Sequence, residues 1–162
     1  MWLSDRRTFL LMTLALAGCG FTPAYGPGGG AAGLLGRVAA DAPQTRDDFA
    51  LVRRLSERLG PAEAARYRLA YKVTTEATGQ AITPEGATTR YSLTGVAGYT
   101  LHDAGSDAVL LSGEVTSFSS WSATGSTVST LSAEEDAHTR LMRMLADQIV
   151  TRLLASAGSL PQ

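Results

Sequence analysis

Three long segments of this chain alternate apolar and polar residues with a period of two, and this pattern limits the possible folds more than any other feature. They cover residues 66–74, 88–102 and 109–115. Successive side chains of an extended strand point to opposite faces, so each segment is predicted to be a strand with one buried face. The residues predicted on that face, with Gly95 and Gly113 in step, are Tyr67, Leu69, Tyr71, Val73, Tyr91, Leu93, Ala97, Tyr99, Leu101, Val109, Leu111 and Val115.

Short stretches of turn residues separate these strands. A turn is predicted around residues 79–86, and the run from Asp103 to Asp107 is predicted to close a second hairpin. Hairpin links of this length indicate an antiparallel meander. The third strand is predicted to fade into a Ser/Thr-rich stretch at 117–130.

Two amphipathic helices flank the meander. The first is predicted to start at Thr45 or Asp47 and to end at Gly60-Pro61, with Arg53, Arg54 and Arg58 on its solvated side. Its apolar stripe is predicted to contain Phe49, Val52, Leu55 and Leu59.

The second helix is predicted to start with a capping box between Ser132 and Glu135, to run for about six turns, and to end at Gly158 and Pro161. Its stripe is predicted to contain Ala137, Leu141, Met144, Leu145, Ile149 and Leu153.

A short strand predicted at 34–39 completes the set of elements. One apolar stripe per helix and one apolar face on the sheet give an α+β fold, a two-layer sandwich in the order β-α-β-β-β-α. Both helices are expected on one face of a four-stranded, mostly antiparallel sheet. Residues 34–158 are expected to form a single domain.

Residues 1–18 have the features of an export signal. Arg6 and Arg7 supply a positive start, and the apolar run from Phe9 to Ala17 is too short to span a bilayer as a helix. The segment ends in Leu-Ala-Gly before Cys19, the only cysteine of the chain, which resembles the bacterial lipobox. This resemblance implies cleavage before Cys19 and acylation of its thiol. The two arginines fit either general secretion or twin-arginine export.

Cys19 is therefore expected to hold the protein to a membrane. Several acyl chains give stable attachment where one does not. Gly20, rather than Asp, follows the cysteine, and by resemblance to lipoprotein sorting this favours the periplasmic side of the outer membrane. Residues 19–33, rich in Gly and Pro, are expected to be a flexible tether. Gly28, Gly30 and Gly33 match a dinucleotide motif literally, but no strand or helix is predicted around them.

Several function classes find little support in the composition. The chain has 14 basic and 15 acidic residues, so no overall positive field attracts nucleic acid. The two histidines, His102 and His138, belong to no nucleophile motif, and no cluster has the spacing of metal ligands. Neither catalysis nor a cofactor is expected.

The order of these features resembles a known family. Cys19-Gly20-Phe21-Thr22-Pro23 follows the lipobox, a helix and a meander come next, and Asp136-Ala137-His138-Thr139-Arg140 lies in the long last helix. This arrangement is similar to that of the lipopolysaccharide-assembly lipoproteins of the LptE family, over essentially the whole chain. The resemblance implies a non-enzymatic partner of the large outer-membrane β-barrel LptD that assists barrel assembly and contacts lipopolysaccharide.

The sheet face away from the helices is a candidate for that contact. Arg68, Lys72 and Arg90 are predicted there, and guanidinium and ammonium groups bind phosphates such as those of lipid A. An alternative function is an accessory lipoprotein of an ABC-type phospholipid transporter. An envelope hydrolase is a third, disfavoured because a catalytic triad is missing.

Overall fold

A computed structural model describes residues 30–84, 86–123 and 125–160. The predicted signal peptide, Cys19 and most of the predicted tether lie outside these residues. The elements in chain order, with 3-10 turns at Gly30–Gly33 and Ala157–Ser159, are β1 (Val38–Ala40), α1 (Arg46–Leu59), β2 (Tyr67–Ile82), β3 (Thr88–Asp103), β4 (Val109–Ser122) and α2 (Thr127–Ser156). The predicted α+β sandwich and its element order are confirmed.

The four strands form one sheet in the order β1-β2-β3-β4. β1 pairs with β2 in parallel over three residues, from Val38 opposite Tyr67 to Ala40 opposite Leu69. The β2–β3 and β3–β4 pairs are antiparallel, as short hairpins require. β1 is shorter than predicted and starts later, because a 3-10 turn and a tight turn with Gly36 at φ +69° occupy the residues before it.

The predicted alternation decides which sheet face is buried. Leu69, Leu93, Leu101 and Val115 are all at most 2% exposed and face the helices. Two strand ends differ from the prediction. β2 continues past Gly79 to Ile82, and β4 continues through the serine-rich segment to Ser122. Inward-facing Ser119 and Trp121 are buried there, so the period of two persists although serines weaken its apolar signal.

α1 begins at the predicted Thr45. The Thr45 hydroxyl accepts from the Asp48 backbone, and the Asp48 carboxylate accepts from the Thr45 N–H, which completes a capping box. The helix buries Leu51, Leu55 and Leu59. The predicted stripe was wrong at Phe49, which is 61% exposed, because the four-residue spacing 51-55-59 faces the hydrophobic core.

α2 is longer than predicted. Its N-cap is Ser126, whose hydroxyl accepts from the Ser129 backbone, so the predicted start at Ser132 was wrong. At thirty residues, α2 has about eight turns and a length of about 45 Å. Met142, rather than the predicted Met144, is buried with Leu141, since the stripe is wide enough to include neighbouring positions.

The sandwich has two distinct ends, which we call the base and the tip. At the base, the Gly36 N–H donates to the Leu59 carbonyl, and the start of β2 pairs with the end of β3. The described domain both begins and ends there, because the two 3-10 turns contact each other. The tip contains the β2–β3 turn at 83–87, the end of β4 and the start of α2.

Candidate functional site

Of the three cations predicted on the outer sheet face, Arg68 is committed to structural ion pairs. Its guanidinium lies 2.7 Å from an Asp107 carboxylate oxygen and 3.3 Å from one of Asp41. These contacts raise the pKa of Arg68, most through Asp107, and the same hydrogen bond lowers the pKa of Asp107. Arg68 therefore ties the end of β1 to the β3–β4 turn.

The structure does not bring Lys72 and Arg90 together. Lys72 lies opposite Gly98, whereas Arg90 lies opposite Ala81, nine residues further along β2. At about 3.3 Å per residue this separates the two positions by about 30 Å. The outer face thus offers separated single cations and not one phosphate-sized cluster.

A more concentrated set of cations lies on α1 and α2, next to the β4 edge of the sheet. We call it the arginine–aromatic surface, and its residues are Phe49, Arg53, Phe118, Arg140, Arg143 and Met144. Two depressions form it, one of about 460 Å³ beside Phe118, Arg140 and Met144 and one of about 200 Å³ beside Phe49 and Arg53. Arg143 lines both depressions, so they are adjacent.

The charges of this surface are only partly compensated. Arg53 pairs with Glu57 at 3.1 Å, and Arg140 donates to the Ser120 carbonyl at 3.0 Å. Arg143 makes no ion pair within the described ranges. Phe118 is 73% exposed beside these guanidinium groups. The result is an exposed surface that combines positive charge with aromatic area.

Sequence reasoning missed this surface. Phe49 was assigned to the core, and Phe118 was placed in a loop rather than on the outer face of β4. The available signal was the spacing of Arg140 and Arg143, which places them as neighbours on a helix. The contribution of Phe118 depends on the packing of α2 against β4, which local patterns do not reveal.

The predicted solvated arginines of α1 are instead partly structural. Arg54 and Arg58 both reach Asp147 on α2, at 3.0 and 2.9 Å. The hydrogen bonds that Arg54 donates to the Asp147 and Glu57 carboxylates raise the pKa of Arg54. His138 of α2 contacts Asp47 of α1 at 2.9 Å. These contacts join the two helices.

A cavity of about 810 Å³ lies where β1 ends and β2 continues. We call it the β2 groove, and the residues that line it include Asp41, Asp47, Asp48, Ala50, Tyr71, Lys72, Val73, Thr75, Leu131, Glu134, Glu135 and His138. The first turns of α1 line this groove, and β2 continues past it to Ile82. Burial and the nearby Asp48 and Asp41 carboxylates raise the pKa of Tyr71 to about 12.

The part of the chain that the structure describes contains no recognisable arrangement of catalytic side chains. No group of three or more His, Cys, Asp or Glu residues in these ranges could hold a metal ion. His102 lies near Asp107, and Ser117, Ser119, Ser120 and Ser122 are spread along β4. None of the described helices is both long and apolar enough to cross a membrane.

Solved structures share this architecture. A putative lipoprotein from Caulobacter crescentus superposes with a TM-score of 0.68 at 17% identity, covering 81% of this chain and 98% of that chain. The rare lipoprotein B of Shewanella oneidensis has a TM-score of 0.55 at 12% identity, covering 76% and 96%. A minor lipoprotein of Acinetobacter baumannii has a TM-score of 0.51 at 22% identity, covering 77% and 92%. These similarities establish the fold. A comparison with curated protein sequences gives no significant match.

The fold defines a small two-layer α+β domain with exposed surfaces on the helices and along both edges of the sheet. The model of the LptE family, described as lipopolysaccharide assembly, matches residues 36–153. The chain belongs to the LptE family. Members of this family are non-enzymatic assembly lipoproteins associated with the outer membrane, and their partner is LptD. Lipopolysaccharide assembly is therefore the function of this chain, and the accessory role at a phospholipid transporter is not favoured.

Proposed function

We propose that this chain is anchored through Cys19 on the periplasmic side of the outer membrane and partners one large β-barrel of the LptD type. The match to the family model over 36–153 is the observation that carries this proposal. The lipobox-like sequence before Cys19 supports the anchor, after removal of residues 1–18 and with 19–33 as a tether. In the proposed role the domain supports barrel assembly and contacts lipopolysaccharide.

The arginine–aromatic surface is the part of the domain best suited to lipopolysaccharide. Arg140 and Arg143 can donate charge-assisted hydrogen bonds to phosphates, and Phe118 and Met144 can contact acyl chains. Lys72 and Arg90 on the outer sheet face are proposed as weaker, separate contacts. Arg68 contributes less than the sequence suggested, because two carboxylates already occupy its guanidinium.

Binding of purified lipopolysaccharide to two sets of variants distinguishes these surfaces. We expect Arg140→Ala with Arg143→Ala to weaken binding several-fold, and Lys72→Ala with Arg90→Ala to weaken it less, because separated exposed charges contribute little. Added salt should weaken binding to the parent protein and have less effect on the first double variant. Arg68→Ala serves as the control for a cation that is already paired.

The partner is tested by purification of the full lipidated chain from membranes. A large outer-membrane β-barrel recovered in stoichiometric amount supports the proposed role. Recovery of inner-membrane transporter subunits in its place would contradict it. For the binding surface, a folded Arg140→Ala/Arg143→Ala variant with parental affinity would remove the arginine–aromatic surface from consideration.

A further inference from the structure

The β2 groove borders a strand edge that has no backbone partner among the described residues. β1 pairs with β2 only as far as Leu69, whose carbonyl accepts from the Asp41 N–H, and the chain then leaves the sheet. N–H and C=O groups alternate in direction along a strand, so those of Tyr71, Val73 and Thr75 point to the same outer edge as those of Leu69. β2 runs on to Ile82 with this edge open.

The opposite edge of the sheet is covered differently. β4 is the other terminal strand, and α2 places side chains along it. Arg140 donates to the Ser120 carbonyl at 3.0 Å, and Gln148 donates to the Thr116 carbonyl at 3.2 Å. No side chain in the described ranges makes such a contact with the outer edge of β2 between Tyr71 and Ala77. Proteins usually cover or blunt exposed edges, so the open edge of β2 marks a place suited to another strand.

The groove beside this edge also has a definite charge. Five carboxylates line it, from Asp41, Asp47, Asp48, Glu134 and Glu135, against the basic side chains of Arg46 and Lys72. Arg68 pairs with Asp41, Arg46 pairs with Glu135, and His138 contacts Asp47. Glu134 has no ion-pair partner in the described part of the chain. The acidic excess favours a positively charged occupant.

The floor of the groove, next to the open edge of β2, is apolar. Val73 and Ala50 face it from β2 and α1, and Leu131 faces it from α2. A strand placed beside β2 would direct every second side chain onto this floor and leave the others in solvent. Backbone hydrogen bonds would provide affinity, and the floor and acidic rim would provide specificity.

We propose that the β2 edge and groove bind an extended segment of a protein partner, in which apolar side chains alternate with Lys or Arg. The segment adds a strand to the sheet where β1 ends. This site adjoins the arginine–aromatic surface, since both are lined by Ala50 and Thr139, but it uses the backbone of β2 and goes beyond the proposed lipopolysaccharide contact. It would give the domain a second, backbone-mediated interaction with protein.

Amide hydrogen exchange on the full lipidated chain in detergent micelles tests the site directly. The probe is a synthetic hexapeptide of alternating valine and lysine, and the control peptide has three valines followed by three lysines. We expect the alternating peptide to slow exchange at the amides of Tyr71, Val73 and Thr75 at least tenfold. The amides of Lys72 and Thr74 point to β3 and should be slow with or without peptide. No change at the first three amides would overturn the proposal.

A proline substitution supplies the matched test of the backbone contact. Thr75→Pro removes one outward N–H without removing a bond to β3, a substitution that edge strands tolerate. It should weaken the affinity for the alternating peptide about tenfold, whereas Thr75→Val, which keeps the N–H, should not weaken it. Circular dichroism and thermal unfolding check that both variants fold. Equal peptide affinity for the folded proline variant and the parent would overturn the strand-addition geometry.

Two further exchange measurements distinguish a protein segment from other occupants of the groove. Protection of the same amides by lipopolysaccharide, without protection by the peptide, would identify a lipid site and refute a protein segment. Protection that appears without any ligand as the protein concentration rises would identify a second copy of this chain. Glu134→Lys should weaken binding of the alternating peptide several-fold and leave binding of lipopolysaccharide unchanged, so failure here is distinct from failure of the proposed function.

Discussion

The absence of a side chain at Gly95 sets how closely α2 can approach the sheet. A Cβ atom at this position would lie 2.8 Å from Leu141 Cδ2 and 3.2 Å from Leu145 Cδ1, and both leucines are fully buried. We predict that Gly95→Ala destabilises the domain by about 1–3 kcal/mol through overpacking. Urea-induced unfolding measures this change.

Gly98 provides the control on the same strand. A Cβ atom there would meet nothing within 4 Å, so Gly98→Ala should leave the free energy of unfolding nearly unchanged. Equal losses of stability in both variants would mean that α2 does not approach β3 closely at Gly95.

Tyr71, which lines the β2 groove, is expected to make the stability of the protein depend on pH above pH 10. Its folded-state pKa is raised from 10.0 to about 12, first because burial disfavours the phenolate. A raised pKa adds stability that is complete below pH 10 and is lost as the pH rises from 10 to 12. We predict a fall in unfolding free energy across this window, and a smaller fall for Tyr71→Phe. The same pH dependence in both proteins would show that Tyr71 does not contribute.

The contact partners of individual residues were the hardest feature to predict from the sequence. The roles of Arg54 and His138 depend on Asp147 and Asp47, which lie 93 and 91 positions away along the chain. Periodicity identifies a polar helix face but not which polar residue of another helix it meets. By contrast, Thr45 was predictable as a cap, because its partner Asp48 lies within the same turn.

At the level of elements, α2 offers a test of which helix face is buried. Met142 is fully buried, whereas Met144 is 37% exposed. We predict that Met142→Ala costs about 2–5 kcal/mol through the cavity that it leaves, and that Met144→Ala costs much less. Thermal and urea unfolding of the two variants provide the comparison. A larger loss for Met144→Ala would show that α2 is rotated about its axis relative to this structure.

Element boundaries failed where composition conceals periodicity. The region 117–130 is rich in Ser and Thr, residues that are common in turns, yet it contains the end of β4 and the start of α2. Phe118 and Trp121 point to opposite faces of the strand, as a period of two requires. Long, strongly alternating segments such as β3 were predicted to within one residue, because burial on one face leaves little freedom in register.

For the whole molecule, the proposed anchor is tested at its single attachment atom. Only Cys19 supplies a thiol, so Cys19→Ala should abolish metabolic labelling with a fatty acid and should leave an unprocessed or differently processed chain. Cys19→Ser is the closest control in size and should also remain unlabelled. Label incorporated into either variant would contradict acylation at this position.

The topology of the whole domain was predictable because few arrangements bury two helix stripes and one sheet face together. Short hairpins fixed the order of β2, β3 and β4, and α1 between β1 and β2 fixed the parallel pair. The surfaces proposed for binding were not predictable to the same degree. The β2 groove arises because β1 pairs with only the first part of β2, and the arginine–aromatic surface depends on the packing of α2 against β4. Local periodicity specifies neither feature.

The separation of base and tip gives the anchored protein a direction. β2 and β3 have sixteen residues each, so the tip stands about 50 Å from the base. The described chain begins at the base, and the eleven peptide units between Cys19 and Gly30 span at most about 40 Å. An anchor at Cys19 would therefore hold the base of an elongated domain close to the membrane. Its far end, where Ile82 and Val128 are exposed, would lie furthest from the membrane and be the first part to meet a target.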